Sequence, residues 1–60
     1  MVHQDHWYRV RWPKAVDHLP LNDKKVKVVE VVSMDGEEWA VVQQDGGRPI
    51  VMRTRYLEET

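Results

Sequence analysis

Valine-rich segments of roughly five to eight residues alternate with Asp/Gly turns along this chain, and no segment keeps helical spacing for two turns. The pattern predicts four strands. The first spans Trp7 to Trp12, with Tyr8, Val10 and Trp12 on one face and Trp7, Arg9 and Arg11 on the other, as the two-residue period of a strand requires. The Tyr8 set is the better core candidate. Pro13 stops the strand, because it lacks an amide donor and fixes its own φ. The stretch through Leu19-Pro20-Leu21-Asn22-Asp23 reads as a long irregular connection with room for one helical turn near Lys14 to His18.

The second strand, Lys25 to Met34, mixes its phases. Val26 and Val28 share one parity, Val29 and Val31 take the other, and Val32 returns to the first. A strand buried on both faces would show this, and so would a β-bulge in a strongly bent strand. Asp35-Gly36 marks a hairpin, since Gly tolerates the positive φ of primed turns. The third strand runs from Glu38 to Gln44, with Trp39, Val41 and Gln43 opposing Ala40, Val42 and Gln44. Asp45-Gly46-Gly47 supplies the next hairpin turn, and Arg48 to Leu57 the fourth strand. In that strand Ile50, Met52, Thr54 and Tyr56 share one face, and Val51, Arg53 and Arg55 the other. Trp12 and Trp39 are expected in the core and Trp7 partly exposed.

At 60 residues the chain holds at most one domain, 1 to 60, with residues 1 to 5 expected to fray. A domain this small removes only about 60% of its unfolded surface from water, so pairing with a second copy of itself would matter to its stability. The absence of cysteine removes disulfides and thiolate zinc sites and suits a reducing compartment. The longest apolar stretch, Val28 to Val32, is broken by Glu30, whereas a membrane span needs about 18 apolar residues. No secretory signal is visible at the start, so a cytoplasmic location is expected. The initiating Met1 and the lack of linkers suggest a complete short gene product of the accessory or regulatory kind common in bacteria and their phages.

The run Val28-Val29-Glu30-Val31-Val32, then Asp35-Gly36-Glu37-Glu38-Trp39-Ala40-Val41-Val42, then Gly46-Gly47-Arg48 and Tyr56-Leu57-Glu58-Glu59 resembles the strand, turn, tryptophan, strand, turn order of SH3-like barrels. The resemblance covers residues 25 to 59. It implies an all-β fold, either a single small SH3-like barrel or a strongly bent antiparallel meander of four to five strands. The alanine-leucine-tyrosine-aspartate-tyrosine segment of the peptide-binding SH3 domains is missing, and Met52-Arg53-Thr54-Arg55 stands where their proline-serine-asparagine precedes the terminal tyrosine. The resemblance therefore implies the architecture without the proline-rich ligand.

Ten acidic against nine basic residues give a net charge of -1, which argues against nucleic-acid binding by bulk charge. The signs are segregated: all five arginines stand at 9, 11, 48, 53 and 55, while acids gather at 35 to 38, 45 and 58 to 59. No enzyme activity, cofactor or metal is expected. So small a barrel leaves almost no room for a pocket of convergent polar groups, and Ser33 beside Asp35 reads as a local backbone partner. His3 and His6, with Asp5 between, have metal-ligating side chains but lie in the terminal segment, and His18 has no partner at ligand spacing.

The suggestive cluster is Trp7, Arg9 and Arg11 on one face, joined by Arg53 and Arg55 if the first and last strands pair as they do in closed small barrels. Tryptophan and arginine dominate binding energy in protein interfaces. The expectation is a small non-catalytic module that binds a protein partner, or itself, through Trp7, Arg9, Arg11, Arg53 and Arg55. The alternative is a nucleic-acid-binding barrel using the same arginines for phosphates and Trp7 for stacking.

Overall fold

The computed structural model describes all residues from Met1 to Thr60. It is all-β, with five antiparallel strands: β1 (Trp7–Val10), β2 (Lys25–Met34), β3 (Glu37–Gln43), β4 (Ile50–Arg53) and β5 (Leu57–Glu59). Two single-turn 3-10 helices, Lys14–Val16 and Thr54–Tyr56, sit in the connections. The strand order is β4-β3-β2-β1-β5, so the first four strands form a meander and the last returns beside the first. β4 and β5 are the two edges and do not pair, which leaves the sheet an open, bent meander rather than a closed barrel.

The phase mixture of β2 resolves as a bulge. Val28 lies opposite Val42 and Glu30 opposite Val41, leaving Val29 as the extra residue. Val26 and Val28 face inward before it, and Val31, opposite the buried Ala40, faces inward after it. One inserted residue thus exchanges the parities and bends the longest strand. The inner face collects a core of Tyr8, Val10, Val26, Val28, Ala40, Val42 and Met52, with Val2, Trp12, Leu21, Val31 and Leu57 packed around it.

Two expectations change here. Arg48 to Leu57 is not one strand: β4 ends at Arg53, a 3-10 turn follows, and Leu57 begins β5. The break lets Tyr56 lie against Trp12, ring centroids 5.1 Å apart, while the Arg11 amide donates to the Tyr56 carbonyl at 2.7 Å. Neither Trp39 nor Trp12 is part of the buried core. β3 turns Ala40 and Val42 inward, and a strand's alternation then sends Trp39 and Val41 outward. Trp12 is half-buried at the end of the core, its indole Nε1 donating to the Pro20 carbonyl at 2.9 Å.

The long connection after Pro13 folds back onto β1. Asp23 N donates to Val10 O at 2.8 Å and Val10 N to Lys24 O at 2.9 Å. The amino-terminal segment is tied as well, with His3 N donating to the Tyr8 hydroxyl at 2.8 Å and Asp5 N to Val28 O at 2.7 Å. At the β2–β3 turn, Asp35 (φ 53°) and Gly36 (φ 75°) both take the left-handed conformation, the requirement of a type I′ hairpin. A Cβ at Gly36 would meet nothing within 4 Å. Gly36→Ala should therefore cost only the backbone term, about 1 kcal/mol in urea unfolding; a loss several times larger would show a contact this geometry lacks.

Candidate functional site

On β1, inward-pointing Tyr8 and Val10 force Trp7 and Arg9 outward. Trp7 lies opposite Lys27 of β2, and Arg9 lies between Lys25 of β2 and Glu58 of β5. Trp7 is 45% exposed, as its parity leads one to expect. It also forms a wall shared by two shallow recesses. One is completed by Lys27, Gln43, Gln44, Asp45 and Gly46, and the other by His3, His6, Tyr8, Glu59 and Thr60.

Each of the four arginines expected at the site meets a carboxylate of its own chain. Arg9 Nη1 is 3.3 Å from Asp23 Oδ1 and also donates to the Asp23 carbonyl at 2.8 Å. Arg11 Nε is 3.2 Å from Glu58 Oε2. Arg53 and Arg55 share Glu37, at 2.9 and 3.2 Å. The Arg53 contact lies off its N–H direction, an ion pair rather than a directed hydrogen bond. The two guanidiniums also lie over rings, Arg53 5.1 Å from Trp39 and Arg55 6.0 Å from Tyr56. Ion pairs this exposed contribute about 0 to 1 kcal/mol each, so their main effect is orientation and charge neutralisation rather than stability.

These residues form two groups. Trp7 and Arg9 on β1, with Arg11 just past its end, run toward Glu58, whereas Arg53 and Arg55 gather around Glu37 beside the β2–β3 hairpin, in a recess with Gly36, Glu38 and Thr54. Of the expected last strand, Arg48 to Leu57, only Leu57 joins a ladder with the first strand: β1 pairs with β5, Tyr8 to Val10 against Glu59 to Leu57, while β4 pairs with β3 alone. That pairing does not bring Arg53 and Arg55 to β1, because both precede β5 and β2 and β3 stand between β4 and β1.

Sequence reasoning passed over the apolar residues on the outward side of β2, β3 and β4. Beyond the bulge, Val32 lies opposite Trp39 and Trp39 opposite Arg53, and in the next row Glu30, Val41 and Val51 stand side by side. Val32, Met34 and Val51 are exposed, Val51 to 57%. The signal was the return to the first parity at Val32, which the bulge at Val29 turns outward while it turns Val31 in. His3 and His6 have ring centroids 5.6 Å apart, and no group of three or more His, Asp or Glu gathers to hold a metal ion. No helix is long and apolar enough to cross a membrane.

No protein-family model, curated protein or solved structure matches this chain.

Proposed function

We propose that the chain is a small cytosolic, non-catalytic protein-interaction module that meets a protein partner through the outward face carrying Trp7. The architecture we assign to it is an SH3-like strand order left open as a bent meander, a reading supported by β1 lying between β2 and β5. The observation that carries the function is Trp7 itself: a large ring, nearly half exposed, between two recesses and beside arginines already held by carboxylates. An aromatic anchor with oriented, neutralised arginines around it suits a protein interface, where the central ring contributes most of the energy and the rim excludes water. Exposed Val32, Met34 and Val51 extend the same outward side with apolar surface.

A specific observation favours one other reading. Lys25 and Lys27, opposite Arg9 and Trp7, have no carboxylate partner, so a nucleic acid would use Trp7 and these lysines rather than the paired arginines. Trp7→Ala separates the effects on binding and fold. On the protein-binding reading it weakens the partner complex about thirtyfold, roughly 2 kcal/mol, and leaves the melting temperature within a few degrees of the parent. Calorimetric titration that finds the affinity unchanged would remove Trp7 as the anchor, and with it the proposed surface.

A further inference from the structure

We infer that the chain forms a twofold dimer in which β4 pairs antiparallel with β4 of a second copy. The two open edges of the sheet differ in kind. β5 carries Glu58 and Glu59, adjacent carboxylates that repel a copy brought alongside. β4 begins Ile50, Val51, Met52, with no charge until Arg53. Ile50 is 42% and Val51 57% exposed, and the register places them on opposite faces of the edge. None of the eleven backbone hydrogen bonds outside the ladders involves Ile50 to Arg53, so the outer backbone groups of β4 have no partner in the chain. Natural sheets guard such edges with short strands, prolines, lysines, inward charges, bulges or covering loops; β4 is short and bounded by Pro49, but its Ile50-Val51-Met52 run carries no charge, bulge or cover and is a template for another strand.

A second copy fits this edge in a symmetric register centred on Val51, the most exposed residue of the strand. A twofold axis normal to a continuous sheet must pass beside a residue, because outward side chains can only lie opposite outward ones. With Val51 on the axis, Val51 faces the second copy's Val51, and Ile50 faces the second copy's Met52. Arg53 reaches the second copy's Pro49, which has no amide proton and ends the ladder. Val41 and Val51 of each copy then form one apolar row across four strands.

The charges also match. Antiparallel pairing brings the β3–β4 turn of each copy to the far end of the other copy's β4. Arg48, the one arginine with no carboxylate in its own chain, arrives beside the second copy's Glu37 and Glu38. Asp45, also unpaired, arrives beside the second copy's Arg55. The inference goes beyond the proposed partner surface and does not depend on Trp7, which lies on β1, three strands from the Val51 axis, although Asp45 and Val51 also belong to the outward side.

Sedimentation equilibrium reads the result directly: the mass rises from 7.2 kDa toward twice that as the protein is concentrated. Val51→Lys sets two ammonium groups face to face on the axis and weakens the dimer about a hundredfold or more, while Val32→Lys, away from the edge, leaves it intact. A second measurement covers the case in which Val51→Lys folds poorly. The chain has no cysteine, so under mild oxidation Val51→Cys cross-links two copies and Glu59→Cys on β5 does not. A mass of 7.2 kDa at every concentration overturns the inference, and so does a dimer that tolerates Val51→Lys and cross-links through Glu59→Cys.

Discussion

Tyr8→Ala should leave the domain largely unfolded at room temperature. Tyr8 is 3% exposed, the largest side chain in a core otherwise made of four valines, an alanine and a methionine. Truncating a buried aromatic costs about 3 to 5 kcal/mol through lost transfer energy and an unfilled cavity. A 60-residue domain has roughly 3 to 9 kcal/mol in all. The hydroxyl adds a separable part, because it accepts the His3 amide at 2.8 Å and so ties the amino-terminal segment to the core. Tyr8→Phe keeps the ring and should cost about 1 kcal/mol, concentrated in faster amide exchange over residues 2 to 5. Trp39→Ala, by contrast, removes a larger but half-buried ring from the outward face together with its Arg53 contact, and should cost less than Tyr8→Ala. Urea unfolding of the three variants orders them. A Trp39→Ala loss exceeding that of Tyr8→Ala would place the core on the wrong face of β3.

Met52→Ala should have the next largest effect, a loss of about 2 to 5 kcal/mol toward the upper end of that range. Met52 is 3% exposed and lies opposite Ala40, whose single methyl cannot fill the space a shortened neighbour leaves. It is also the one side chain of β4 buried in the core, so its loss should release the edge strand before the rest. Hydrogen exchange at concentrations low enough to keep the chain monomeric is expected to show Ile50 to Arg53 opening first. Met52→Leu, close in volume, should recover most of the loss, and a Met52→Ala protein as stable as the parent would mean that β4 is not held by its inward face.

The strand plan was legible because turn chemistry and valine periodicity agree at β1, β2 and β3, including the two phases of β2 that a single bulge reconciles. The end of the fourth segment was not. Thr54-Arg55-Tyr56 carries no Gly or Pro and is composed of residues common in strands. The turn there comes from tertiary contacts, Tyr56 on Trp12 and the Arg11 amide on the Tyr56 carbonyl, that no local pattern shows. Trp39 was misjudged for a related reason. Bulk and apolarity pointed Trp39 inward, but the space between so few strands admits Ala40 and Val42, and alternation then fixed Trp39 outside.

Charge segregation along the chain proved to be complementarity in the fold. Asp23 reaches back to Arg9, Glu58 crosses to Arg11, and Glu37 receives Arg53 and Arg55 from the far side of β3. These pairings depend on strand order. Composition could therefore suggest an arginine surface but not that the chain supplies its counter-ions, which is why the proposed function rests on Trp7 rather than on the arginines.

The most direct test of the protein-binding account is capture from lysate by the tagged chain at low and moderate salt, with and without nuclease, alongside Trp7→Ala. The account predicts a protein that stays bound through nuclease and salt and is lost with Trp7→Ala. Release of all bound material by nuclease, or equal capture by Trp7→Ala, would contradict it.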